Sequence, residues 1–189
     1  YSSTSSGYGM NDYPNVETQS DDCLNPYAVS KVNGEKLCTM YTNLFDVPTV
    51  IFRYFNVYGE RQPLKGQYAP VIGIFLRQFA AGEKLTIVGD GEQRRDFTYV
   101  GDVVDANIRA GFYEHPIWGE VFNVGNGDNR SVNQIADMMG GETIEVEPVV
   151  EPKLTLADNN KIKKMLNWKP TIDLEDWLPK WKKGLNLWK

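Results

Sequence analysis

The chain of 189 residues contains a single histidine and only two cysteines. One imidazole, His115, cannot by itself furnish a zinc site, and any Ser-His-Asp triad would have to rest on that residue. It stands beside Pro116 at the end of a helical pattern and reads as a surface turn residue. Cys23 and Cys38 are too few for a disulfide scaffold and lack a CxxC spacing, so a reduced, cytoplasmic setting is expected. No apolar run approaches the roughly 20 residues that span a bilayer. The stretch from Ala69 to Leu76 is about the longest, so no membrane partner is expected. Basic residues are outnumbered, with 20 Lys and Arg against 25 Asp and Glu. A net charge of -5 argues against a nucleic-acid binder, which needs a basic face to displace counterions. Also missing is a GxGxxG fingerprint: Gly89-Asp90-Gly91 and Gly125-Asn126-Gly127 do not continue as one and read as plain turns. Residue 1 is tyrosine and no basic segment precedes an apolar one, so no signal peptide is read. Tyr1-Ser2-Ser3 resembles the end of a strand whose beginning lies upstream, and the chain is expected to be the C-terminal part of something longer.

What is present fits a packed globular protein: 41% hydrophobic and 24% charged residues, at a length suited to one domain or a small two-lobed unit. Ser2 to Asp22 is small and polar and is expected to be mostly loop. Asn25-Pro26 is a cap-and-proline helix start. From Tyr27 to about Phe45, Val29, Val32, Leu37, Met40, Tyr41 and Leu44 recur at helical spacing. Thr49 to Phe55 is β-branched and aromatic and reads as a buried parallel strand. After a charged loop over Gly59 to Gly66, helices are expected over 70–81, 102–113, 131–139, 159–166 and 174–187. The remaining strands fall at 85–88, 96–100, 121–124 and 144–146. Strands alternating with helices of this length mean an α/β protein.

Tyr27 and Lys31 form the sharpest chemical pair, because residues i and i+4 share one helix face. A phenol is a weak base at neutral pH, and a neighbouring cation favours its phenolate. A phenolate can take the proton of a sugar or alcohol hydroxyl while hydride leaves the same carbon. Alone, the spacing is common on amphipathic helices. Its surroundings sharpen it: Ser2-Ser3-Thr4-Ser5-Ser6-Gly7-Tyr8-Gly9 lies upstream at a strand end, and Arg53-Tyr54-Phe55-Asn56-Val57-Tyr58-Gly59 downstream at another, where open α/β sheets bind ligands.

These three motifs, together with Gly89 to Asp105 and Ala157 to Pro170, resemble the extended short-chain dehydrogenase/reductase family of NAD-dependent nucleotide-sugar epimerases and dehydratases. The resemblance implies the C-terminal part of a Rossmann-like parallel sheet, with the catalytic helix over 1–60. A small α/β substrate lobe over 61–189 follows, the chain crossing back to the first sheet near 96–125. It implies NAD as cofactor, a UDP-sugar as substrate and a homodimer built on the Tyr27–Phe45 helix. By matching positions, Tyr27 is the base, Lys31 activates it and holds the nicotinamide ribose, and Thr4 hydrogen-bonds the sugar 4-hydroxyl. Tyr54 and Phe55 match the nicotinamide end, Asn56 and Arg95 the diphosphate, and Thr86, Ile87 and Val88 the base through their backbone. Adjacent arginines repel unless an anion intervenes, which leaves a solvated pair as the other reading of Arg94 and Arg95.

Family dehydratases carry an Asp-Glu pair after the threonine; here Ser5 and Ser6 stand instead, which favours 4-epimerisation over elimination. Dehydration, decarboxylation or simple nucleotide-sugar binding are the alternatives. Glu151 fits the acidic position of the last substrate loop, but Pro148 stands where an arginine is usual, and Lys153 compensates only in part. Thr155 matches the residue that sets pocket size, and its smallness implies room for an N-acetyl group. With no glycine fingerprint among these residues, the isolated chain is expected not to turn over. A truncated parent, a separate chain supplying the first half and a stand-alone binding module are all compatible with the sequence.

Overall fold

The computed structural model describes residues 1–66, 69–114 and 116–185; His115 and the last two residues of the 174–187 helix lie outside them. Strand β1 (Ser2–Thr4) falls where Tyr1-Ser2-Ser3 reads as a strand end, and it runs into a short 3₁₀ turn (Ser5–Tyr8) inside a segment expected to be mostly loop. Thr4 dictates the turn, because its hydroxyl oxygen caps the Ser6 N–H at 3.1 Å. Helix α1 (Pro26–Phe45) starts where Asn25 Oδ1 accepts the Ala28 N–H at 2.9 Å, with proline in the first turn where no donor is lost. It stops at Asp46, whose φ of 53° is left-handed.

The strand expected over 49–55 is shorter and has a successor. β2 (Ile51–Tyr54) and β3 (Asn56–Tyr58) belong to different sheets, with buried Phe55 as the step between them. The chain continues through α2 (Val71–Ala81), β4 (Leu85–Val88), β5 (Arg94–Tyr99) and α3 (Val100–Gly111). Then follow β6 (Val121–Val124), β7 (Asn129–Ser131), α4 (Val132–Met139), β8 (Thr143–Val146), α5 (Asn160–Leu166) and α6 (Leu174–Leu185). β5 and α3 each begin two residues before the sequence places them, and β7 is not foreseen at all. It is three residues long, too short to show periodicity, and exists by antiparallel pairing with β5.

Among the described residues three small sheets result, ordered β1-β2-β6, β3-β5-β7 and β4-β8. The first is wholly parallel, with Thr4 paired to Tyr54 and Tyr54 to Val124 at its C-terminal edge. One core gathers Tyr58, Phe75, Leu85, Ile135 and Trp177 between α2, α4, α6 and the other two sheets. A second gathers Phe52, Phe122, Ile162 and Trp168 beside α3 and α5. Tyr8, Phe55 and Ala157 form a third, smaller one at the step between strands. Of the six apolar residues that recur at helical spacing along α1, only Val32 is buried, while Leu37, Tyr41 and Leu44 are 56%, 48% and 69% exposed. No helix among the described residues is long and apolar enough to cross a membrane.

Asp96 holds the sheets in register with the loops behind them. Its buried carboxylate accepts the backbone N–H groups of Asn126 at 2.7 Å, Gly127 at 2.9 Å and Ala157 at 3.0 Å. Burial pushes its pKa up to about 6 against the pull of those donors. The amides of the Gly125–Gly127 turn are thus spent on an internal carboxylate, so this turn is structural, as its sequence indicates. Gly125 is obligatory there, since a Cβ would lie 2.3 Å from that of Ala157.

Candidate active site

Helix α1 and strand β1 meet at the C-terminal end of the first sheet. Lys31 Nζ donates to the Ser2 carbonyl at 2.9 Å and lies 6.0 Å from the centre of the Tyr27 ring. The i,i+4 spacing therefore brings phenol and ammonium to one place, with the ammonium tied to β1. The Tyr27 side chain is 52% exposed and open to a ligand. Thr4, at the end of β1, is buried and also donates its hydroxyl to Ser6 Oγ at 3.1 Å.

One turn beyond Lys31, Glu35 fixes this corner from beneath. Arg53 Nε donates to Glu35 Oε1 at 3.0 Å and Nη2 to Oε2 at 2.7 Å, a two-pronged pair with both side chains buried. The Ser3 hydroxyl donates to the same carboxylate. Arg53 also covers the Tyr8 ring at 4.8 Å, and Asp21 lies 3.7 Å away. Burial disfavours the Arg53 charge, yet the Glu35 hydrogen bonds and Tyr8 leave its pKa raised. Burial pushes the Tyr8 phenol up to about 12, and it donates to Asn123 Oδ1 at 2.7 Å.

Two cavities lie beyond this corner. The larger, about 540 Å³, is lined by Pro70, Phe75, Thr86, Val88 and Phe97 among others. The smaller, about 230 Å³, is lined by Ser5, Ser6, Leu24, Asn25 and Thr155 among others. Asn56, Arg95 and Glu151 line both, so the cavities share a wall and form one bent cleft. Asn56 is held by donating to the Asp96 carbonyl at 3.3 Å, and Thr155 Oγ1 accepts the Asp96 N–H at 3.3 Å. Arg95 Nη2 bonds Glu151 Oε2 at 2.5 Å, while Nη1 donates to the Arg94 carbonyl at 2.8 Å. The neighbouring Arg94 is committed elsewhere, to Asn129 Oδ1 at 2.7 Å. The two adjacent guanidinium groups thus have separate protein partners.

Of the base-matching strand, Thr86 and Val88 face the larger cavity, whereas the Ile87 side chain is buried in the core. Gln78 braces this edge, its Oε1 accepting the Thr86 N–H at 3.2 Å and its Nε2 donating to Thr86 Oγ1 at 2.7 Å. The Phe55 ring is core, packed with Tyr8 and Ala157, and is closed to a ligand. Tyr54 turns its phenol toward α3, where Asn107 Nδ2 donates to it at 2.9 Å. Pro148 and Lys153 line a neighbouring cavity of about 450 Å³ that Glu151 also borders. A further cavity of about 540 Å³ runs along the outside of α1, past Glu35 and Arg53 and away from the cleft.

Ser5, Ser6, Leu24 and Asn25 line the smaller cavity without having been singled out for binding. The serines were legible in principle, since they directly follow Thr4. Leu24 is reached only through the fold of the 9–25 loop.

Compared with known proteins, residues 1–125 match the model of the NAD dependent epimerase/dehydratase family. The chain is 36% identical over 176 residues to the UDP-glucose 4-epimerase of Mycolicibacterium smegmatis, covering 89% of this chain and 55% of that one. The UDP-glucose 4-epimerase of Thermotoga maritima, solved with UDP-glucose, superimposes with a TM-score of 0.91 at 32% identity, over 98% of this chain and 62% of that one. The UDP-glucuronic acid 4-epimerase of Bacillus cereus, solved with UDP-glucuronic acid and NAD, gives 0.88 at 33% identity, over 100% of this chain and 61% of that one. The chain spans 60%, 57% and 55% of the length of three curated relatives it matches.

Proposed function

The chain belongs to the NAD dependent epimerase/dehydratase family, and we propose from this premise that the full-length protein epimerises a UDP-hexose or UDP-N-acetylhexosamine at carbon 4. The observation that carries the reading is the bent cleft. An aromatic-walled cavity beside Thr86 and Val88 suits a base, Asn56 and Arg95 at the bend suit a diphosphate, and a small hydroxyl-lined cavity beside Thr4 suits a sugar. When bound, NAD supplies the acceptor and donor of the carbon 4 hydride. The half-exposed Tyr27 and the anchored Lys31, at the C-terminal end of a parallel sheet, fit its nicotinamide ribose. Tyr54 and Phe55 border that end, and Phe55 contributes through its backbone.

The chain's own groups divide the work. Tyr27 Oη takes the proton from the sugar 4-hydroxyl and later returns it. Lys31 Nζ, oriented by the Ser2 carbonyl, stabilises the phenolate in between. Thr4 Oγ1 exchanges Ser6 for the sugar oxygen and steadies it. Arg95 meets the diphosphate with a planar fork, and Asn56 supports it. We divide the chain into a cofactor part over 1–60 and a substrate part over 61–189, with β6 returned to the first sheet. Cys23 and Cys38 are both free, in keeping with the cytoplasmic setting we propose.

Product analysis tests the reaction. The full-length protein with NAD is expected to convert a UDP-hexose to its 4-epimer with every carbon and oxygen retained. The 189 residues alone are the control expected to give none. Loss of water or carbon dioxide from the product would replace epimerisation with dehydration or decarboxylation.

Thr155 sets the sugar range in this reading. A tyrosine there fills the space of an N-acetyl group, so Thr155→Tyr is expected to cut kcat/KM for the acetylated substrate by about 100-fold while the hexose changes by less than about threefold. Equal losses on both substrates would sink the assignment.

The exposed Leu37, Tyr41 and Leu44 on α1 support a homodimer through this helix. Leu37→Lys with Tyr41→Lys is expected to convert the dimer to monomer in light scattering; an unchanged mass would refute this interface.

A further inference from the structure

The Arg95–Glu151 contact places a carboxylate on the very guanidinium assigned to the diphosphate. We infer that Glu151 is a specificity-determining gate, which yields Arg95 to an anion only when a ribose arrives with it; this rests on the nucleotide-sugar reading above. The Arg95 side chain is 13% exposed and that of Glu151 34%, so the guanidinium is covered while the carboxylate faces the cleft. Arg95 is also pinned by its Nη1 bond to the Arg94 carbonyl. Glu151 therefore is the partner able to move. It belongs to the segment between the end of β8 at Val146 and the Arg94–Leu154 bridge. There Val149 and Val150 are 63% and 93% exposed, so the segment can shift without unpacking a core.

The position of Glu151 says where its carboxylate goes next. It lines both cavities, at the junction between the base side and the sugar side. A base against Thr86 and Val88 with a diphosphate on Arg95 puts the ribose at that junction. Displaced from Arg95, the carboxylate can then accept the two ribose hydroxyls, an exchange of one charge-assisted bond for two hydrogen bonds. Free pyrophosphate or phosphate must break the same ion pair and offers no donor in return. Glu151 thus protects the site from abundant bare anions and favours nucleoside diphosphates.

Calorimetric titration of the full-length protein with UDP and with pyrophosphate tests this. Glu151→Gln is expected to tighten pyrophosphate binding by about tenfold, the order of a charge-assisted bond, and to leave UDP within about threefold. Glu92→Gln, which removes a carboxylate from the adjoining cavity without touching Arg95, controls for the general gain in anion affinity. It is expected to leave pyrophosphate binding unchanged. Unaltered pyrophosphate affinity in Glu151→Gln, or an equal gain in Glu92→Gln, overturns the gate while the nucleotide-sugar reading stands. Failure of the wild type to bind UDP overturns both.

Discussion

Replacing Tyr27 with phenylalanine is expected to lower kcat for epimerisation by about 1,000-fold, within the range that general acid–base groups supply. The substitution removes one oxygen from a half-exposed side chain in the first turn of α1, so the fold has little to lose. Tyr27 does not line either cavity of the cleft, so UDP affinity should stay within about twofold. This split, a collapse in kcat with nucleotide binding preserved, is what separates a proton-transfer group from a binding contact. A variant retaining more than about a tenth of the wild-type kcat would remove Tyr27 from the chemistry. Loss of UDP binding in parallel would instead mean that the substitution disturbs the cleft.

Glu35→Gln should destabilise the protein by about 3–5 kcal/mol, because it leaves Arg53 charged and buried with only the longer Asp21 contact, at 3.7 Å, as counter-ion. The bidentate geometry, with Nη2 to Oε2 at 2.7 Å, and the burial of both partners place the pair among those whose single-partner removal is severe. Urea unfolding reads the effect as a lower midpoint at unchanged slope. Replacing both residues with methionine should recover much of the loss, since the desolvation cost then disappears along with the attraction. A single-variant change below about 1 kcal/mol would show that water or Asp21 takes over the role of Glu35. The same carboxylate receives the Ser3 hydroxyl beside Thr4, so any Glu35→Gln protein that folds is also expected to lose turnover.

These two residues mark what could be read in advance. Tyr27 and Lys31 are neighbours along one helix, and the Asn25-Pro26 start fixes their face, so sequence spacing sufficed to put them together. Glu35 and Arg53 are joined only by the packing of α1 against β2, and nothing in their separation announces the pair. Arg95 and Glu151 are likewise legible as charges, but their contact depends on where the 147–153 segment lies. The apolar residues along α1 recur at helical spacing, and such periodicity reports amphipathicity without naming the surface that covers it. Of Val29, Val32, Leu37, Met40, Tyr41 and Leu44, only Val32 is buried. The strand over 49–55 looked continuous because β-branched and aromatic residues fill both β2 and the step at Phe55. Its division between two sheets is settled by pairing partners distant in sequence.

That step at Phe55 ties four consecutive residues to different surroundings. Arg53 answers to Glu35, Tyr54 to Asn107, Phe55 to Tyr8 and Ala157, and Asn56 to the cleft. Inserting or deleting one residue here would not merely lengthen a connection. It would rotate every later side chain of the strand to the opposite face and exchange core for ligand. The stretch behaves as a ruler between a buried ion pair and a binding site, tolerant of conservative replacement and intolerant of any change in length. Variation in length is better absorbed at the exposed Lys65 and Gly66, beyond the anchored Glu60 and Leu64.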